Sequence, residues 1–210
     1  MSVTGKREFE HREPCDHVSG IILAGGLSKR YGRNKAFLEI NGVRLIDHIT
    51  EKMKRIFKEV MLVANDKEDY EYLGLPIVED RIKGLGPIGG IYTGLMSISN
   101  QAGFFVACDM PSLNEPLVRY MVGLMDNYAA VVPFVAHEVE PLHALYATTC
   151  IDPIQRLIKA QRYQVRLFYQ YINIRYVGED EIKEFAPPQR VFQNINTPQE
   201  FAAIESQNKG

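Results

Sequence analysis

Between Val18 and Lys35 an apolar run stops at paired glycines and gives way to a loop of small and basic residues. The run is Val18-Ser19-Gly20-Ile21-Ile22-Leu23, followed by Ala24-Gly25-Gly26. Bounded by glycine on both sides, it predicts a buried strand. Gly25 and Gly26 let the backbone turn sharply and approach a ligand without Cβ interference. Backbone N–H groups in such a loop form an anion-binding nest. Lys29, Arg30, Arg33 and Lys35 add positive charge where a polyphosphate would sit. A lone glycine pair would favour an ordinary turn; the four cations decide for phosphate. The loop is not a Walker loop, because Lys35 is followed by Ala36, and no G-x-G-x-x-G is present.

The rest of the chain alternates extended and helical patterns. Strands are expected near 60–64, 75–78, 104–108, 129–135, 141–147 and 173–177, with a strand-turn over 36–43 and a last extended piece over 191–196. Apolar residues at helical spacing predict helices over 45–57, 91–98, 114–126, 151–160 and 164–171. Gly84-Leu85-Gly86-Pro87-Ile88-Gly89-Gly90 forms a second glycine-rich loop, with Pro87 suited to a first helical turn. Thr197-Pro198-Gln199-Glu200 carries a capping-box signature for a final helix over 198–204. Such alternation predicts a single three-layer α/β domain, with a mostly parallel central sheet and helices on both faces. The 210 residues suffice for one such domain, expected over 18–207, with 1–17 as a flexible N-terminal extension.

Bulk properties exclude several classes. A net charge of −2 gives no electrostatic case for nucleic acid or a membrane surface. No apolar run approaches the ~20 residues of a membrane span. The polar first 17 residues lack the apolar core of a signal peptide. Cys15, Cys108 and Cys150 are too few and too odd in number for a disulfide framework, so a cytoplasmic location is expected. His11, Cys15 and His17 match no standard zinc spacing.

In open α/β sheets, ligands bind at the C-terminal strand ends. Those ends here carry Ala24-Gly25-Gly26, Asn65, Asp80 and Asp109. Asp109 directly follows an apolar run, where packing does not call for a carboxylate, and is the leading ligand for Mg²⁺. The competing role for Asp109 is a helix cap near Asn114. Asp80 either contacts a base or ribose or caps a turn. Cys108 could act as a nucleophile only with His143 or His137, and nothing local supports that pairing. Asn194 and Asn196 bracket Ile195 and would share one face of an extended segment.

Four motifs carry a family resemblance. Leu23-Ala24-Gly25-Gly26-x-Ser28-x-Arg30-x-Gly32-x-x-Lys35 resembles the signature of nucleotidyltransferases of the glycosyltransferase-A-like fold. Gly86-Pro87-Ile88-Gly89-Gly90-Ile91, Cys108-Asp109-Met110-Pro111 and Asn194-Ile195-Asn196-Thr197-Pro198-Gln199-Glu200 follow in that family's order. The set most resembles the molybdenum cofactor guanylyltransferases. Tyr31 stands where that family usually has Met. The resemblance implies GMP transfer from GTP to the terminal phosphate of molybdopterin, bare or molybdenum-loaded (Mo-molybdopterin), with Mg²⁺ as cofactor and pyrophosphate as leaving group. It implies GTP contacts from Leu23, Ala24, Gly25 and Lys35, further nucleotide contacts from Asn65 and Asp80, and metal ligation by Asp109. Asn194 and Asn196 match residues near the pterin. Lys35 and Arg30 would offset charge developing on pyrophosphate, and Gly26 would line the phosphate nest. Transient contact with proteins that supply or receive the cofactor is expected. Two other readings are a cytidylyl or sugar-phosphate nucleotidyltransferase, and a non-catalytic nucleotide-binding protein.

Overall fold

A computed structural model describes residues 13–24, 35–40 and 42–192. The elements, in chain order, are β1 (Ser19–Leu23), β2 (Glu39–Ile40), β3 (Val43–Arg44), α1 (Leu45–Ile56), β4 (Val60–Val63), β5 (Ile77–Val78), α2 (Pro87–Leu95) and β6 (Ala102–Ala107). There follow α3 (Glu115–Val122), β7 (Ala130–Val135), β8 (Glu138–Val139), β9 (His143–Ala147), α4 (Ile151–Lys159), β10 (Ile174–Gly178), α5 (Glu179–Lys183) and α6 (Pro188–Val191).

Among the described residues the main sheet runs β10-β7-β9-β6-β1-β4-β5, with β8 paired to β7. β1 pairs in parallel with β4 and β6, β4 with β5, and β7 with β10. β9 lies antiparallel between β6 and β7. The parallel strands therefore share one C-terminal edge, and Leu23, Val63, Val78, Ala107 and Val135 all end there.

Alternation along β1 builds both faces. Ile22 and Ala24 join an apolar layer with Ile46, Ile49 and Met53 of α1 and Leu117 and Met121 of α3. Ile21 and Leu23 face the opposite layer, with Ile88 and Ile91 of α2, Ile154 of α4 and Phe168. Helices thus cover both faces, as the alternating pattern predicts. α2 lies close to the sheet: a Cβ on Gly90 would come within 3.1 Å of Leu23 Cδ2. Gly86, which precedes α2, has φ 68° and ψ −150°, a backbone conformation that side chains strongly disfavour.

Several boundaries differ from the sequence reading. The helix expected over 114–126 stops at Val122, with a 3-10 turn over Met125–Asn127. Residues 164–171 form a 3-10 helix, Val165–Tyr171, rather than an α-helix. The strand expected from 141 begins at His143. The extended piece expected from Val191 is not extended at its start, because α6 includes Val191. Its remaining residues and the helix expected over 198–204 lie outside the described residues.

The end of the N-terminal extension, read in sequence as loose, is tied down. Cys15 N donates to Ile56 O at 2.8 Å, and Lys58 N donates to Cys15 O at 2.8 Å. At the N-terminal sheet edge, the Glu59 carboxylate accepts hydrogen bonds from Ser19 Oγ and Ser99 Oγ. No helix among the described residues is long and apolar enough to cross a membrane.

Candidate functional site

Leu23 and Ala24, at the C-terminal end of β1, are both buried. Their backbones are locked to two neighbours: Ala24 N donates to Val63 O at 3.0 Å, and Cys108 N donates to Leu23 O at 3.1 Å. The Tyr70 ring stacks on Phe37 with centroids 5.0 Å apart, and its hydroxyl lies 3.4 Å from Ala24 O. Tyr70 therefore touches the chain both before and after the first glycine loop. Gly25, Gly26 and Arg30 lie outside the described residues, as do Asn194 and Asn196.

Lys35 opens a 3-10 turn, Lys35–Phe37. Its Nζ lies 3.6 Å from Asp109 Oδ2, and both side chains are about three-quarters buried. The glycine loop's terminal lysine and the carboxylate at the end of β6 thus meet across the C-terminal edge. The cap alternative for Asp109 falls away, because Asn114 caps α3 through a 2.9 Å bond from Leu117 N to Asn114 Oδ1.

Downstream of Asp109 the backbone is held from α1. Lys52 Nζ donates to Pro111 O at 2.9 Å and to Leu113 O at 3.2 Å. Burial, with nearby Arg55 adding to it, lowers the Lys52 pKa below the ordinary lysine value.

Asn65 and Asp80 extend the edge beyond β4 and β5. Asn65 Nδ2 donates to Asp80 Oδ2 at 3.0 Å, and Asp80 N donates to Asn65 Oδ1 at 3.3 Å. Oδ1 of Asp80 is buried with no hydrogen-bond partner among the described residues. A buried lone pair without a donor is costly unless a ligand or water supplies one. This favours the ligand-contact role for Asp80 over turn capping.

The donor set bears on a metal. Among the described residues no three His, Cys, Asp or Glu converge into a protein cage. A part-buried carboxylate on a strand end fits a hard divalent ion that takes its other ligands from phosphate oxygens and water. Asp109 is such a group.

The nucleophile alternative does not hold. Burial, reinforced by the Asp109 charge, pushes the Cys108 thiol up to about 12, which keeps it protonated near neutral pH. His143 is fully buried, its ring edge-on between Phe104 and Phe192 at 5.1 Å each. Neither of its ring nitrogens has a partner among the described residues, and burial pushes its pKa down to about 3. A base so enclosed does not reach solvent or substrate.

A second basin lies beyond β6. A cavity of about 780 Å³ is lined by Pro87, Phe134, His137, Tyr169 and Tyr176, among others. Sequence reading did not find it, because its walls come from four separated segments. The signal that was present is compositional: aromatic and amide residues are dense between Tyr163 and Tyr176.

Residues 20–174 match the model of the MobA-like NTP transferase domain. The chain belongs to the MobA-like NTP transferase family. A probable molybdenum cofactor guanylyltransferase of Pelotomaculum thermopropionicum is 35% identical over 88% of this chain and 90% of that protein. A molybdenum cofactor guanylyltransferase of Desulfosudis oleivorans is 33% identical over 91% of this chain and 96% of its own. The crystal structure of a molybdopterin-guanine dinucleotide biosynthesis protein A from Archaeoglobus fulgidus superposes with a TM-score of 0.78. It is 25% identical and covers 91% of this chain and 99% of its own. In this member of the MobA-like family the first loop's lysine stands opposite the β6 carboxylate.

Proposed function

We propose that this protein transfers GMP from GTP to the terminal phosphate of molybdopterin, releasing pyrophosphate. The observation that carries the reading is the meeting of Lys35 and Asp109, 3.6 Å apart at the strand-end edge. The names of relatives that match nearly the whole chain supply the base and the acceptor.

In the reaction an acceptor phosphate oxygen forms a bond to the α-phosphorus of GTP. The bond from that phosphorus to the bridging oxygen breaks, and its electron pair leaves with pyrophosphate. The attacking group is already anionic, so the chain needs no strong base. Its work is positioning and charge neutralisation. Lys35 offers a cation to the triphosphate and to the charge that builds on the leaving group. Arg30, proposed from the sequence pattern, shares that role. Backbone groups of Leu23 and Ala24, with Gly25 and Gly26, would hold the nucleotide. Asn65 orients Asp80, whose open oxygen accepts a donor from base or ribose. Asp109 would hold Mg²⁺, which supplies Lewis-acid polarisation of phosphate oxygens when bound. Asn194 and Asn196 would contact the pterin.

The test has two parts. Thermal-shift titration with GTP, CTP, ATP and UTP in Mg²⁺ reads base preference, since a bound nucleotide raises apparent stability by mass action. GTP is expected to give the largest shift; a larger one with CTP moves the protein to cytidylyl transfer. Pyrophosphate release from GTP and molybdopterin is then expected. Nucleotide binding without release would make the protein a binding module.

A further inference from the structure

We infer that Tyr70 is a positioning residue for the transfer: its ring, stacked on Phe37, sets where the Lys35 ammonium stands against the triphosphate. The inference rests on the role proposed above for Lys35 and adds the device that holds it in place.

The turn that carries Lys35 is too short to orient itself. Lys35–Phe37 is a single 3-10 turn, closed by a backbone bond from Leu38 N to Lys35 O at 3.1 Å. So short a piece takes its direction from what packs on it. Ala36 is fully buried in the layer shared with α1, and Leu45 N of α1 donates to Leu38 O at 2.9 Å. These contacts anchor the backbone. Phe37 supplies the side-chain grip: its ring stacks on Tyr70 with centroids 5.0 Å apart and planes at 26°. Arg44 of β3 sets its guanidinium 5.3 Å from the centre of the same Phe37 ring, and 5.3 Å from the centre of the Tyr72 ring. Tyr70 and Tyr72 belong to one 3-10 segment, Lys67–Leu73. That segment thus grips Phe37 directly through Tyr70, and through Arg44 by way of Tyr72.

The place of Tyr70 is not that of a simple core filler. It is buried in the apolar layer yet carries a hydroxyl, a group that a buried tyrosine points at a partner. That hydroxyl lies 3.4 Å from Ala24 O, at the other stem of the first glycine loop. At such a distance the contact is weak, so the stack on Phe37 carries the grip. The segment that bears Tyr70 begins just past Asn65, whose amide holds Asp80. One stretch of chain therefore joins the Asn65–Asp80 pair to the phosphate cation. A lysine side chain is long and has much rotamer freedom to lose, so its ammonium stays in place only if its backbone does. At its far end the ammonium meets Asp109 at 3.6 Å, and a displaced turn would alter that spacing too. Small misplacements of this kind, made away from the reacting atoms, are costly to a reaction that runs on positioning.

The test reads nucleotide affinity beside turnover, on the full chain. Affinities for GTP and GMP in Mg²⁺ are compared by titration calorimetry, and their ratio isolates what the outer phosphates add, where Lys35 acts. If CTP binds best, CTP and CMP take their place. Tyr70→Leu removes the ring and is expected to lower that ratio about ten-fold, and turnover at saturating GTP by a similar factor. Tyr70→Phe keeps the ring and should match the wild type in both. A loss in Tyr70→Phe as large as in Tyr70→Leu gives the role to the hydroxyl and overturns the stack. Phe37→Leu breaks the same stack from a partly buried position and should behave as Tyr70→Leu, which decides the matter should the latter fail to fold. A loss that runs through Lys35 vanishes once Lys35 is gone. In the Lys35→Ala background, Tyr70→Leu should therefore lower ratio and turnover by less than about three-fold further. An undiminished loss in that background overturns the inference, and so does equal weakening of GTP and GMP, which marks a general loosening of the fold. The two claims fail separately. An unaltered ratio and turnover in Tyr70→Leu and Phe37→Leu, with pyrophosphate released by the wild type, removes the positioning role and keeps the reaction. A lowered ratio in both variants, with no release by the wild type, keeps the positioning role toward a bound triphosphate and removes the reaction.

Discussion

Lys52 Nζ donates to the carbonyl of Pro111 at 2.9 Å, so a helix on one face of the sheet holds the backbone just past the β6 carboxylate. A second bond from the same ammonium reaches Leu113. Lys52→Met keeps the aliphatic stem and leaves both carbonyls without that donor. The expected cost is about 1–3 kcal/mol, read from urea unfolding. Turnover should fall as well, because Asp109 leads directly into this segment. A variant as stable as the wild type would show that water replaces the ammonium at no cost.

Lys35→Ala separates chemistry from stability. The Lys35–Asp109 pair is part-exposed and at 3.6 Å is not a tight contact, so its loss should change stability by no more than about 1 kcal/mol. Turnover at saturating GTP should drop roughly 10²-fold or more, the scale for removing one donor from a developing charge. The measurement is pyrophosphate release beside a thermal melt of the same preparation. Full turnover in the variant would remove Lys35 from the reaction.

His143 makes stability depend on acid. In the unfolded chain its imidazole titrates near 6.5, whereas burial in the fold holds it neutral down to about 3. Between those values the unfolded state binds the extra proton. Its contribution is therefore fully present above about pH 6.5 and is lost as the pH falls toward 3, by up to about 1.4 kcal/mol per pH unit. His143→Leu should flatten this slope between pH 4 and 6.5, measured as the urea midpoint across pH. An identical slope in both proteins would assign the acid sensitivity to other groups.

Ala136 and His137 join β7 to β8 with φ of 50° and 66°. Two left-handed residues in a two-residue turn are the preference of Asn-Gly, not Ala-His. Ala136→Asn with His137→Gly should stabilise the protein by about 1 kcal/mol, seen as a higher melting temperature. A lower melting temperature would mean that the His137 side chain contributes more in the fold than its backbone strain costs.

Much of the fold could be read from the chain because the strands are short apolar runs that stop at Gly, Asn or Asp. The run from Gly20 to Leu23 and the one before Asp109 are of this kind, and both proved to be central parallel strands. Helix ends were harder to read. Val165–Tyr171 has apolar residues at helical spacing, yet hydrogen bonds such as Leu167 N to Gln164 O at 3.1 Å close it as tighter turns. Of the candidate site, Asp80 and Asp109 stand out in sequence one at a time, each just past an apolar run, and Lys35 stands out as the end of the basic loop. The Asn65–Asp80 pairing, the Lys52 tether and the aromatic cavity were not, because each joins segments that only the folded sheet brings together. No local period encodes such contacts.

The Asn65–Asp80 pair bears on what the cleft would refuse as well as on what it would hold. Asn65 gives one amide hydrogen to one Asp80 oxygen, which orients the carboxylate and leaves its other oxygen buried with no partner among the described residues. A molecule bringing a carbonyl or ring lone pair to that point would set two electron-rich atoms against each other. With Asp80 as the proposed nucleotide contact, selectivity at this corner would be exercised by repulsion.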